Sequence, residues 1–173
     1  MQKLFSFRGL AFLGFLGCAS GLLMAVFYFQ KVLGLEPCPM CIFQRVAMIA
    51  AGVAFLVAAI HGPRGGAGQW AYAGLVVLAA GIGAFIAARH TWLQGLPEDQ
   101  RPACGPTLDY LVDMMPLKEV VATVIRGDGN CAKIDWTLLG YSLPAWTFVV
   151  FACLILWALA MPILPRIFAK SSR

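Results

Sequence analysis

The stretch "EPCPMCIFQR", residues 36–45, sets Cys38 and Cys41 three positions apart and puts Arg45 one helical turn beyond the second cysteine. Two thiols at this spacing suit redox work, because the tight loop between them lets a bridge open and close with little backbone motion. A structural disulfide is the plainer alternative. Zinc would need four closed ligands, and no cysteine or histidine stands at short spacing from either Cys104 or Cys131, so no metal is expected. A c-type haem would need histidine where Ile42 stands. If a helix starts near Cys41, then Arg45 shares its face, and the helix N-terminus adds partial positive charge there. Both favour a thiolate, the form that does thiol chemistry. The same arginine would also serve as a boundary residue snorkelling to headgroups.

Cys104 and Cys131 lie in turn-like sequences, "PACGP" and "DGNCAK". A bridge between them would be worth about 3.5 kcal/mol by chain entropy, so a structural and a redox role both stand. The simplest pairing is Cys38 with Cys41 and Cys104 with Cys131. The remaining two of the six cysteines, Cys18 and Cys153, fall inside apolar runs and read as small packing residues. His90 is placed at the membrane level of Cys41 and Arg45. It reads either as a solvated interfacial side chain or as a ligand.

These residues need elements to hold them, and composition says which. The 173-residue chain is 61% hydrophobic and 12% charged, with mean hydropathy +0.80. That is too oily for an ordinary soluble domain. Residues 10–29, 42–60, 69–88 and 144–164 are each long and apolar enough to cross a bilayer. The first lacks a small-residue cleavage site and reads as a retained helix rather than a signal peptide. The predicted fold is an all-α membrane protein, a single domain over residues 1–173. It is an antiparallel bundle of four transmembrane helices with a long outer loop. Gly17 and Gly21 form a small-x-x-x-small step that would allow helices to approach.

The net charge of +5 is sorted by side, which points to a bilayer and away from nucleic acid. Lys3, Arg8, Arg64, Arg166, Lys170 and Arg173 fall in residues 1–9, 61–68 and 165–173 with no acid among them. These segments are expected in the cytoplasm. Loops 30–41 and 89–143, in which acids match or outnumber bases, are expected outside, together with all four loop cysteines. Disulfides persist on that side of a bacterial inner membrane. Within the long loop, Leu117, Val120, Val121, Val124 and Ile125 form the stripe of a short amphipathic helix, introduced by Pro116 and stopped by Gly127. It would lie on the membrane surface or pack on other loop segments.

Four helices, "CPMCIFQR" at the mouth of the second, "RHTWLQ" after the third, and Cys104 with Cys131 ahead of "DWTLLGYSLPAW" together resemble the bacterial disulfide bond formation protein B (DsbB) family. The resemblance covers nearly the whole chain. It implies an inner-membrane protein-disulfide:quinone oxidoreductase that reoxidises a periplasmic thiol oxidase of the DsbA type; a monomer is expected separately from the resemblance. Cys104 would take the mixed disulfide, and Cys131 would pass electrons to Cys38 and Cys41. Cys41 would face ubiquinone or menaquinone near Arg45 and His90. The family often has an acidic residue where this chain has Gln44.

Two rivals remain. An enzyme like vitamin K epoxide reductase would carry its C-x-x-C nearer the last helix. A non-catalytic scaffold or transporter stapled by two disulfides would lose only stability on Cys38→Ser or Cys41→Ser.

Overall fold

The computed structural model describes residues 6–165. Lys3, Arg166, Lys170 and Arg173, used above to orient the chain, lie outside the described residues.

Four helices among the described residues are long and apolar enough to span a membrane. The first, α1 (Phe7–Leu23), is capped by Ser6, whose hydroxyl accepts from the Gly9 amide. It runs on as a π-wound stretch, Met24–Val32. The second, α2 (Pro39–His61), starts with proline in its first turn, where a missing N–H costs nothing. It stops at Gly62, which adopts the left-handed conformation (φ 56°). Arg8 covers the carbonyls exposed at that end, donating from Nε to Ala59 at 2.9 Å and from Nη2 to Ile60 at 3.2 Å. A cation at a helix C-terminus also meets the negative end of its dipole.

The third helix, α3 (Gly66–Gln94), has 29 residues and is therefore about 43 Å long, well beyond the hydrocarbon thickness. It overruns the expected span at residue 88 because no breaker occurs before Gly95. Its last turns carry Arg89, His90 and Gln94 clear of the apolar run. The fourth, α7 (Leu143–Ala160), ends short of the expected residue 164, where Pro162 follows closely.

The bundle packs α1 on α2, α2 on α3 and α3 on α7, and the Trp157 indole closes the ring of helices by donating to the Leu10 carbonyl at 3.0 Å. Close approach is bought by two glycines. A Cβ on Gly14 would lie 2.6 Å from the Phe55 ring, and one on Gly83 would overlap Phe151. Both rings are fully buried. The approach expected at Gly17 and Gly21 is not there, since a Cβ on either meets nothing within 4 Å. Cys18 packs beside Gly52, while Cys153 lies on the outer face of α7.

At the opposite end from Gly62 the loop segments form a cap: α4 (Leu108–Met114), α5 (Leu117–Arg126), α6 (Gly129–Ala132) and a hairpin of β1 (Thr137–Leu138) with β2 (Tyr141–Ser142). Positive φ at Leu139 and Gly140 makes its two-residue turn. The amphipathic stripe is found as α5, introduced by Pro116 and ended by Gly127. It buries Val120 and Val124 among Met40, Ile86, Leu93 and Leu111. The packed alternative is therefore the one realised, with Leu117 left 72% exposed.

Candidate active site

Cys38 occupies the N-cap of α2, and its sulfur accepts from the Cys41 amide at 3.4 Å. This is the place where serine or aspartate usually satisfies a free helix N–H. The two sulfurs lie 3.2 Å apart, both half-buried. One turn on, Arg45 donates from Nη1 to Gln30 Oε1 at 2.7 Å and from Nη2 to the Ala25 carbonyl at 3.2 Å. The guanidinium is thus aimed by the π-wound end of the first span. Arg45 lies four residues after Cys41, one turn along the same helix.

From α3, His90 is buried and uses both ring nitrogens. Nε2 lies 3.8 Å from Cys38 Sγ and Nδ1 lies 3.3 Å from Gln44 Nε2. With the amide donating to Nδ1, the ring hydrogen sits on Nε2 and points at the sulfur. Gln44, one residue before Arg45, is buried and holds the His90 ring through that contact. Nothing in the pattern of residues announces this contact, because a glutamine inside an apolar run carries no periodic signal.

Cys131 comes in from above. Asp128 caps α6 by accepting from the Cys131 amide at 3.0 Å, and the Cys131 side chain is fully buried. Its sulfur, Cys38 Sγ and a ring nitrogen of His90 all lie within 4.8 Å of one another. A hydrogen bond with Cys38, burial, and the nearby Cys38 charge together raise the Cys131 pKa well above its ordinary 9.0.

Cys104 is exposed, in contrast. Its segment lies against α6 through the Gly129 amide on the Ala103 carbonyl at 2.9 Å and Asn130 Nδ2 on the Gly105 carbonyl at 3.1 Å. Gly129 permits this, since a Cβ there would stand 3.0 Å from the Cys104 nitrogen and 3.1 Å from its sulfur. Neighbouring loop segments therefore present one thiol to solvent and bury the other.

The overrun of α3 holds the cap in place. Arg89 donates to the Ile125 and Arg126 carbonyls at 3.4 and 3.2 Å and stacks over Trp92 with its guanidinium 4.2 Å from the ring centroid. Gln94 Nε2 donates to the Lys133 carbonyl at 3.1 Å, just past Cys131.

Comparison with known proteins agrees with this layout. A family model described as "Disulfide bond formation protein DsbB" matches residues 7–161. Proteins named "Disulfide bond formation protein B" are similar along most of their length. That of Xanthomonas axonopodis pv. citri (strain 306) is 53% identical over 154 residues, 89% of this chain and 89% of its own. That of Saccharophagus degradans is 50% identical over 155 residues, 90% of this chain and 92% of its own. That of Marinobacter nauticus is 49% identical over 145 residues, 84% and 85% of the two chains.

Proposed function

The chain belongs to the DsbB family, an oxidoreductase family of disulfide bond formation, and from that premise we propose that it reoxidises a periplasmic DsbA-like thiol oxidase and delivers the electrons to a membrane quinone. The observation that carries this reading is the placement of Cys131 in one pocket with Cys38 and His90 while Cys104 stays at the surface.

In the proposed sequence, a thiolate of the reduced partner attacks the exposed Cys104 sulfur of a Cys104–Cys131 bridge. A mixed disulfide forms and Cys131 leaves as a thiolate. Cys131 then attacks Cys38 of the Cys38–Cys41 bridge, which frees Cys41. The partner's second thiol resolves the mixed disulfide, so the partner departs oxidised and Cys104 is released as a thiol. Cys104 next attacks Cys131 of the Cys38–Cys131 bridge, which restores the Cys104–Cys131 bond and leaves Cys38 and Cys41 as a dithiol. Two electrons and two protons have moved from the partner to this pair.

The high pKa of Cys131 does not obstruct the attack. Its largest cause, the hydrogen bond to Cys38, and the Cys38 charge are absent while Cys38 is tied in a disulfide, which leaves burial as the main influence still raising it. His90 Nε2–H is placed to stabilise the Cys38 thiolate whenever that sulfur leaves.

A quinone supplies the final oxidant by accepting two electrons and two protons. The start of α2 fits such a group, because the Arg45 donors, one turn from Cys41, lie on the helix side of exposed Ile49. Ubiquinone and menaquinone both offer carbonyl oxygens to those donors. The four loop cysteines face the periplasm of the inner membrane in this scheme, with both termini cytoplasmic.

Potentials sharpen the demand. A DsbA-like partner sits near −120 mV and structural disulfides lie below about −300 mV, a gap of about 8 kcal/mol. The Cys104–Cys131 bridge must therefore be easily reduced, and a measured potential near −300 mV would reverse the proposed flow. The direct test mixes purified protein, a reduced thioredoxin-like oxidase and a quinone analogue. Thiol-dependent loss of quinone absorbance is expected, abolished in Cys38→Ser and Cys41→Ser proteins that remain folded. Stable, folded variants with undiminished turnover would refute the route.

A further inference from the structure

The sequence argued against metal binding because Cys38 and Cys41 lacked a second pair of ligands nearby in the chain. The fold brings one to them. His90 arrives from the overrun of α3 and Cys131 from α6, and their ligand atoms and Cys38 Sγ all lie within 4.8 Å of one another. Cys41 Sγ is 3.2 Å from Cys38 Sγ, and His90 Nε2 is 3.8 Å from it. We propose that Cys38, Cys41, His90 and Cys131 in their reduced state form a closed Cys3His site that binds one Zn2+ and holds the protein in its dithiol form.

A tetrahedral zinc with bonds of about 2.3 Å to sulfur and about 2.0 Å to nitrogen separates neighbouring ligand atoms by about 3.5–3.8 Å. Cys38, His90 and Cys131 already stand within reach of that shape, whereas Cys41, close to Cys38 alone, completes the set by turning its side chain toward the other three. The donor types agree as well, since thiolates with one imidazole in a closed four-fold set are a zinc preference. His90 also has the outer support that metal-bound histidines need, because Gln44 holds Nδ1 at 3.3 Å and leaves Nε2 for the metal. Half-buried Cys38 and Cys41 and buried His90 and Cys131 exclude most water from the site.

Binding exchanges the three thiol protons for the metal and changes no oxidation state. Disulfide sulfurs do not supply these thiolates, so the oxidised chain has no such site. Zinc would then compete with the oxidant for the dithiol. At free zinc ten times the Kd, about one reduced molecule in eleven is metal-free, and reoxidation slows about tenfold. This last consequence rests on the redox cycle proposed above; the binding does not.

The test titrates fully reduced, detergent-purified protein with Zn2+ against a chromophoric chelator, and separately with Co2+ as an absorbing probe. One Zn2+ per reduced chain is expected, with a thiolate-to-cobalt charge-transfer band and tetrahedral ligand-field intensity, and none in the oxidised chain. Cys131→Ser and His90→Ala should each weaken binding at least tenfold, while Cys104→Ser binds as the parent does. In the parent protein, Zn2+ should slow the iodoacetamide reaction of Cys131 several-fold below its own metal-free rate and leave that of Cys104 unchanged, a readout that needs no variant to fold. Equal binding by the Cys131→Ser or His90→Ala protein, by the oxidised chain, or an unshielded Cys131 would each overturn the proposal. Turnover is scored separately: an inactive protein that still binds zinc refutes the quinone route alone, and an active one that binds none refutes the trap alone.

Discussion

Cys131 and Cys104 occupy neighbouring loop segments yet meet opposite chemistry. The Cys131 proton is held by its hydrogen bond with Cys38, by burial and by the Cys38 charge, so its folded pKa is raised above 9.0. In the fully reduced protein, iodoacetamide at pH 8 should therefore modify Cys104 at least tenfold faster than Cys131, read by mass spectrometry; equal rates would show that Cys131 is not shielded. The same shift fixes a stability trend. Below pH 9 the thiol is protonated in both folded and unfolded chains and the stabilisation is whole. As pH climbs above 9 the unfolded thiol ionises first, so stability falls, and the melting temperature of reduced protein should drop more steeply than that of Cys131→Ser. Arg45 yields a kinetic prediction. Its fork is held in place by Gln30 Oε1 and the Ala25 carbonyl, and negative charge grows on a quinone's oxygens as it is reduced. Arg45→Ala should raise the quinone KM or lower kcat by tenfold or more while the melting temperature moves little; unchanged quinone kinetics would remove the residue from the site. At this scale the four loop cysteines, Arg45 and His90 were singled out from residue type and spacing, and the structure brings Cys38, His90 and Cys131 together while Cys104 stays exposed. The role of Gln44 was not legible, because it exists only where α2 and α3 meet.

The elements that matter most are the ones that run past the bilayer. The overrun of α3 lets Arg89 cap the C-terminus of α5 and lets Gln94 pin the backbone after Cys131. Hydropathy located the apolar run but could not find the end of the helix, since polar residues continue a helix until a glycine stops it. The α5 stripe was readable for a different reason. An amphipathic period announces a buried face, but it does not say whether lipid or protein covers that face. Val120 and Val124 answer by packing on Met40 and Leu93. Arg89→Ala should release this clasp, removing two charge-assisted bonds and a cation–π contact for about 2–3 kcal/mol. Amide exchange in residues 117–132 should then rise, and Cys131 should alkylate several-fold faster, with the transmembrane spans unaffected. A cap as protected as in the parent would mean that apolar packing alone holds α5.

Across the whole molecule, one bundle joins a half-buried thiol pair at the start of α2 to an exposed thiol in the cap, and it can do so only if the helices that carry them keep their relative positions. Hydropathy revealed four spans because each must be apolar over its whole length. It could not reveal which faces meet, since lipid and protein are equally apolar neighbours; the sequence pointed to Gly17 and Gly21, whereas the contacts are made at Gly14 and Gly83. Gly83 sits under the fully buried Phe151 ring and so sets the distance between α3 and α7. Gly83→Val puts a branched side chain into space the ring already fills, and overpacking of this kind costs about 1–3 kcal/mol. The melting temperature in detergent should fall accordingly. Adding Phe151→Leu should recover part of the loss, because the second change makes room for the first and the two are in contact. Electron transfer measured well below the melting point should stay near the parental rate, since neither residue touches a cysteine of the site. If Gly83→Val were as stable as the parent, or if the two substitutions simply added, the α3–α7 contact would not be what fixes the bundle.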